Sequence, residues 1–319
     1  MGLNIRISAL TALLVCVPCV SLNAARTEKE HVMTDGSVYT GRMKFGKPDG
    51  DGKTVFENGD IYEGSHRKGK LKGVGICHYS NGDKYLGKWD NNVFNGEGAY
   101  LWEDGSHYSG LWSGGQRNGN GSMEWKDGSS YKGGWSDGQF DGFGQFDSPA
   151  YSYVGEWKDG KENGKGVCHF ESGDYYSGQF ADGSMDGQGK YCFSDGSVYE
   201  GRISKGLAQG QGRFEWADGS AYDGQWSENV RSGKGTMTWT NGDSYSGSWK
   251  NDCPDGKGEL TMADGSVLVA TFVGGQPDGQ ATIRQADGTS LRGQYVNGQR
   301  SGSFSHLDSD GKLIRTINY

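Results

Sequence analysis

Apolar and polar positions alternate along most of this chain with a period of two, broken at regular intervals by Gly/Asp/Asn clusters. Around residue 108 the pattern is clear: Tyr108, Gly110 and Trp112 fall on alternate residues, and so do Gly121, Met123 and Trp125 after a Gly/Asn-rich turn. In extended strands the members of each set share one face, while His107, Ser109 and Leu111 point to the other. The stretch therefore predicts a β-hairpin with an aromatic face and a mostly polar face.

The hairpin recurs. Its first aromatic stands at Tyr39, Tyr62, Tyr85, Tyr108, Tyr131, Tyr153, Tyr176, Tyr199, Tyr222 and Tyr245, and Leu268 and Leu291 take the next two slots. The spacing is 23 residues except between Tyr131 and Tyr153, where it is 22. Gly follows two residues later in every case but Ala270, and an aromatic two further on in most, with Met43, His66 and Ile203 as departures. The second strand opens on a Gly-x-Gly pair such as Gly119/Gly121. Glycine weakens a strand, but a ring from a neighbouring strand can lie over the missing side chain.

Asp-Gly or Asn-Gly pairs, for example Asn81-Gly82 and Asp104-Gly105, close most repeats, and both residue types tolerate the positive φ of a tight turn. Phe146 to Tyr151 loses one residue and the Asp-Gly. With Pro149 unable to donate to a ladder, a local irregularity or bend is expected there.

Composition follows from the repeat. The 319 residues include 58 Gly and are only 33% hydrophobic, too little apolar surface for a conventional closed core. Regularly placed aromatics, including all ten Trp inside the repeats, argue against disorder.

The first 25 residues do not belong to the pattern. A short start ending in Arg6, an apolar run from Ile7 to Leu22 and the small residues Asn23-Ala24-Ala25 follow the order of a secretory signal. The apolar run is shorter than the ~20 residues needed to span a bilayer, so cleavage near Ala24 or Ala25 is expected. The domain reading is a signal peptide over 1–25, a linker over 26–34, the repeat array over 35–305 and a C-terminal capping strand over 306–319. The localisation that follows is export, to a periplasm, cell envelope or extracellular space.

The segment Tyr153-Val154-Gly155-Glu156-Trp157-Lys158-Asp159-Gly160-Lys161-Glu162-Asn163-Gly164-Lys165-Gly166 resembles the MORN (membrane occupation and recognition nexus) repeat, Tyr-x-Gly-x-Trp-x-x-Gly-x-x-x-Gly-x-Gly. The resemblance covers about residues 35 to 305 and recurs about a dozen times. It implies an all-β fold: a single-layer, elongated antiparallel sheet of about twelve stacked hairpins. It also implies a scaffold, a dimerisation element or a contact for phospholipid headgroups. Relatives that carry a catalytic domain attach it to the array, and here the repeats take up nearly all the chain after residue 25.

Charge and candidate chemistry narrow this further. Without residues 1–24, which hold Arg6 and no acid, 31 Lys+Arg face 40 Asp+Glu, which disfavours nucleic acid as a partner. Cys77-His78 and Cys168-His169 invite a metal reading, but adjacent strand residues face opposite ways and the two pairs are four repeats apart. Cys168 and Cys192 likewise have opposite facing, so no intrachain disulfide is expected, and Cys253 is placed in a turn. Asp308-Ser309-Asp310-Gly311 begins like a calcium loop, yet Tyr319 stands where the bidentate Glu belongs. No metal or cofactor is expected.

One loop differs in charge. His66-Arg67-Lys68-Gly69-Lys70-Leu71-Lys72 concentrates Arg67, Lys68, Lys70 and Lys72 in one turn of an acidic chain, a candidate contact for an anionic headgroup or partner against the plainer reading of a solvated loop. The function expected is a non-enzymatic exported scaffold that binds a protein partner, itself or an anionic phospholipid surface. The alternative is a glycan-binding envelope protein using the Tyr/Trp ladder. Buried rings would favour the first, exposed Trp rings along a groove the second. No nucleophile-base pair or paired carboxylates stand apart from the repeat.

Overall fold

A computed structural model describes residues 29–319. The signal peptide expected over 1–25 lies outside the described residues. The chain divides into two units, one ending at Lys161 and one beginning at Glu162. Each is an all-β succession of antiparallel neighbours in chain order. The first holds the strands from Glu30–Val32 to Tyr151–Lys158, and the second those from Lys161–Phe170, whose first residue still falls in the first unit, to Leu313–Asn318.

The repeat at Tyr108 shows why these residues make this sheet. His107–Ser113 pairs with Gln116–Glu124, placing Tyr108 opposite Met123 and Gly110 opposite Gly121. Ser130–Ser136 then pairs on the far side, with Gly133 opposite Gly121 and Tyr131 opposite Met123. Gly110, Gly121, Gly133, Gly144 and Gly155 thus form a continuous glycine column across the strands. On that column lie the tyrosine rings, and a Cβ at Gly110 would come within 2.5 Å of the Gly121 Cα. Tyr108 is fully buried, edge-on to its own Trp112 (5.1 Å between centroids) and to the next hairpin's Trp135 (5.3 Å).

A bulge after Gly110 shifts the register before Trp112, which takes the Leu111 carbonyl out of the ladder. The Tyr108 hydroxyl donates to that carbonyl at 3.0 Å. The same bond recurs from Tyr39 to Arg42 and from Tyr245 to Ser248. Trp112 Nε1 donates to the Gly98 carbonyl of the preceding repeat, 3.2 Å away, and Trp89, Trp157, Trp226 and Trp249 tie their hairpins to the preceding one in the same way.

The two ends of the hairpins turn differently. At one end, two-residue turns put both residues in the left-handed region, as at Asp137-Gly138 (φ 48° and 81°) and Asn91-Asn92 (52° and 70°). At the other end stand the Asp-Gly and Asn-Gly pairs read from sequence as tight turns, and the structure differs. In Asp104-Gly105 only Gly105 has positive φ, within a wider loop closed by Trp102 N–H to the Ser106 carbonyl. Asp104 acts there through its side chain, accepting from Ser106 N–H at 2.8 Å.

These wider loops are latched to one another. Asp83 Oδ1 accepts from the Glu103 N–H of the next loop at 2.9 Å while its Oδ2 accepts from Tyr100 at 2.7 Å. Where Ser replaces this Asp, its hydroxyl oxygen accepts in the same way, as Ser106 Oγ does from the Lys126 N–H at 3.1 Å.

Three local expectations change. Glu30–Val32, inside the segment read as a linker, is a strand paired with Val38–Lys44. The missing residue near Pro149 is absorbed by a shorter turn, Ser148 N–H to Tyr151 carbonyl, and the ladder beyond keeps Phe146 opposite Tyr153 with no register shift. Cys253 begins the strand Cys253–Thr261, just after the turn at Asn251-Asp252. At the C-terminal end, Leu313–Asn318 pairs with Gln299–Leu307.

Candidate binding surface

The first two hairpins lack the rings that fill this face in the hairpins of Tyr85 and Tyr131. In the hairpins of Tyr85 and Tyr131, Phe94 and Phe140 stack on the tyrosine at 3.8 and 3.7 Å. The equivalent positions here hold Pro48 and Leu71, opposite Met43 and His66, where the hairpins of Tyr85 and Tyr131 have Trp89 and Trp135. Thr54 and Cys77 stand opposite Tyr39 and Tyr62, where Tyr100 and Phe146 stand opposite theirs. Smaller side chains leave a groove of about 1070 Å³ on this face.

His66 forms part of its floor. Its Nδ1 lies 3.0 Å from the Gly64 carbonyl, which can only accept, so Nδ1 carries the proton and Nε2 accepts from the Thr54 hydroxyl at 2.9 Å. Burial lowers the His66 pKa, favouring this neutral ring. Cys77 is also buried, and its thiol is pushed up to about 11 by that burial.

Along one side of the groove run the tight hairpin tips. Phe45-Gly46 and Lys68-Gly69 are both left-handed turns (φ 50° and 72°, 52° and 82°). Gly69 N–H donates to the Pro48 carbonyl at 2.8 Å, which joins the second tip to the first. Arg67, Lys68 and Lys70 are exposed at the second tip, and Lys44 and Lys47 at the first. Lys72 is not part of this set, because its Nζ is held by Asp90 of the next hairpin at 2.7 Å. Along the other side stand Asp35, Glu57 and Asp60, where Ser37 hydrogen bonds hold the Asp35 carboxyl below its usual range.

Phe45 was not among the residues singled out from the sequence. It is 94% exposed at a positive φ, a position occupied elsewhere by Lys68, Asn91, Asp137 or Gly114. An aromatic held in the left-handed region and given to solvent is strained without a packing reason. The signal in the sequence is the Phe-Gly tip itself, in a row whose other members are polar or Gly.

The remaining candidates separate. Cys77, Cys168, Cys192 and Cys253 carry free thiols. Among the described residues no three His, Cys, Asp or Glu side chains come together as a metal site. The ladder tyrosines and Trp112, Trp135 and Trp249 are buried with their ring faces covered, whereas Trp102, Trp125, Trp216 and Trp239 are half-buried near the wider loops.

No curated protein matches the sequence. Among solved structures, the chain is similar to the SAS-4 TCP domain of Drosophila melanogaster, solved with a proline-rich motif of Ana2, at 15% identity. That match covers 49% of this chain and 84% of that one, with a TM-score of 0.34. The TCP10 domain of Danio rerio CPAP is similar at 11% identity over 91% of this chain and 100% of that one, with a TM-score of 0.17. The MORN repeat matches twelve times in succession, from residues 39–61 to 292–303. The chain belongs to the MORN repeat family.

Proposed function

We propose that this MORN-repeat protein is an exported, non-enzymatic scaffold that binds an anionic partner through the tips of its first two hairpins. The observation that carries this reading is the exposure of Phe45, in a left-handed turn, between Lys44 and Lys47 and beside Arg67, Lys68 and Lys70. A cluster of cations around an exposed aromatic suits a surface that offers carboxylates or phosphates together with apolar area. A protein partner and an anionic phospholipid surface both present that chemistry.

A non-enzymatic role is supported by the use the repeat makes of its polar side chains. Tyrosine hydroxyls satisfy bulge carbonyls, and Asp, Asn and Ser side chains join successive loops. Export is supported by the basic, apolar and small-residue order of the first 25 residues. The glycan alternative is disfavoured because stacking on a sugar needs free ring faces, and the ladder rings cover one another.

The test replaces Arg67, Lys68 and Lys70 with Ser in the mature chain and measures two things: co-sedimentation with vesicles of anionic or neutral lipid, and capture of partners from the native compartment. Loss in the anionic-vesicle arm alone identifies a membrane contact, and loss in the capture arm alone a protein contact. Unchanged behaviour in both removes this tip as the binding surface.

A further inference from the structure

The groove beside these tips is more specific than a basic patch, because its two sides carry opposite charge. Lys47, Lys68 and Lys70 line it at the tight tips, and Asp35, Glu57 and Asp60 at the wider loops. It extends across the strands from the loop at Asp35 to Trp89. At ~4.8 Å per strand those five strands span on the order of 19 Å, the length of about six residues of extended chain.

An extended segment lying along the groove sends alternate side chains to opposite sides. One set meets lysines and the other meets carboxylates. Long charged side chains would lay their methylene stems over Leu71 and Pro48, filling space that Phe94 and Phe140 take in the hairpins of Tyr85 and Tyr131.

We propose that this groove receives an extended peptide segment of a partner protein, about six residues long, in which acidic and basic side chains alternate. The proposal rests on the reading of this chain as a binding protein and names the partner's chemistry.

The test uses two capped, fluorescent octapeptides of equal composition, one of four Glu-Lys repeats and one of four Glu followed by four Lys. Anisotropy is measured with the mature chain at about 50 mM salt, where surface charges are weakly screened. The alternating peptide is expected to bind at least tenfold more tightly. Lys47→Glu, Lys68→Glu and Lys70→Glu together should weaken it at least tenfold, and the three Lys→Arg changes should preserve it. Glu at position 68 is compatible with the turn, since Glu228 takes the same left-handed conformation (φ 51°).

Equal binding of the two peptides, no binding of either at millimolar concentration, or self-association of the chain that excludes the peptide overturns the proposal. If the peptides fail while the Ser substitutions at Arg67, Lys68 and Lys70 still abolish partner capture, the groove inference falls and the binding role at the tips stands.

Discussion

Phe304 lies over Gly293 in the place where earlier repeats seat a tyrosine, but it reaches that place from the opposite strand. In the last repeat the tyrosine slot holds Leu291, and Phe304 replaces the second glycine of the seat. The preceding repeat changes all three positions together: Leu268, Ala270 and Ala281 replace Tyr, Gly and Gly. What the repeat preserves is one ring or its volume above a gap, whichever strand supplies it.

Gly121→Ala alone is therefore expected to destabilise the first unit by about 1–3 kcal/mol, because its Cβ would overlap the Tyr108 ring. Combining Tyr108→Leu, Gly110→Ala and Gly121→Ala, the set found at Leu268, should recover much of that loss. Urea unfolding of the single and triple variants measures the difference. A triple variant no more stable than Gly121→Ala would show that the seat tolerates only a ring.

Alkaline unfolding should be steep. Burial raises the hydroxyls of Tyr108, Tyr222 and Tyr245 to about 12, above the ~10 of an unfolded chain. Groups with a raised pKa contribute stability that is fully present below pH 10 and is lost as the pH rises toward 12. Tyrosinate absorbance at 295 nm is expected to rise together with loss of the sheet signal in circular dichroism. Ionisation that precedes unfolding would contradict the buried seats.

His66 carries the opposite sign. Its pKa is lowered in the folded chain by burial, so the unfolded state takes up the proton first and stability falls as the pH drops below about 6.5. The protection of the Thr54 and His66 amides against hydrogen exchange, taken relative to the unstructured rate at each pH, should fall as the pH drops below about 6.5, and His66→Gln should remove that dependence.

Phe45→Asn should raise stability by up to about 1 kcal/mol, since Asn accepts the left-handed turn as Asn91 does. Partner binding should weaken in the same variant. A gain in stability with binding unchanged would make Phe45 a mere surface residue.

Lys72→Ala should leave partner binding unaltered while costing at most about 1 kcal/mol, because its ion pair with Asp90 is partly exposed. Titration calorimetry of this variant beside Arg67→Ser separates the four cations that the sequence places together.

The fold was legible in the sequence because each repeat is a local unit. Alternation assigned Tyr108, Gly110 and Trp112 to one face, the period counted the hairpins, and paired glycines marked where rings lie. Dipeptide signals miss which atoms close a turn. Asp104-Gly105 reads as a tight turn, yet the loop is wide because the Asp side chain, rather than its backbone, makes the turn.

The candidate surface divides in the same way. The sequence alone determined the basic run from Arg67 to Lys72, since charge is visible in composition. Only the tertiary structure decided that Lys72 belongs to Asp90, that Phe45 and Lys47 join the tip, and that Asp35, Glu57 and Asp60 face it across a groove. These residues are 20 or so apart in the chain and meet because hydrogen-bonded strands stack hairpin on hairpin, a relation set by register between repeats and not by the order of residues within one.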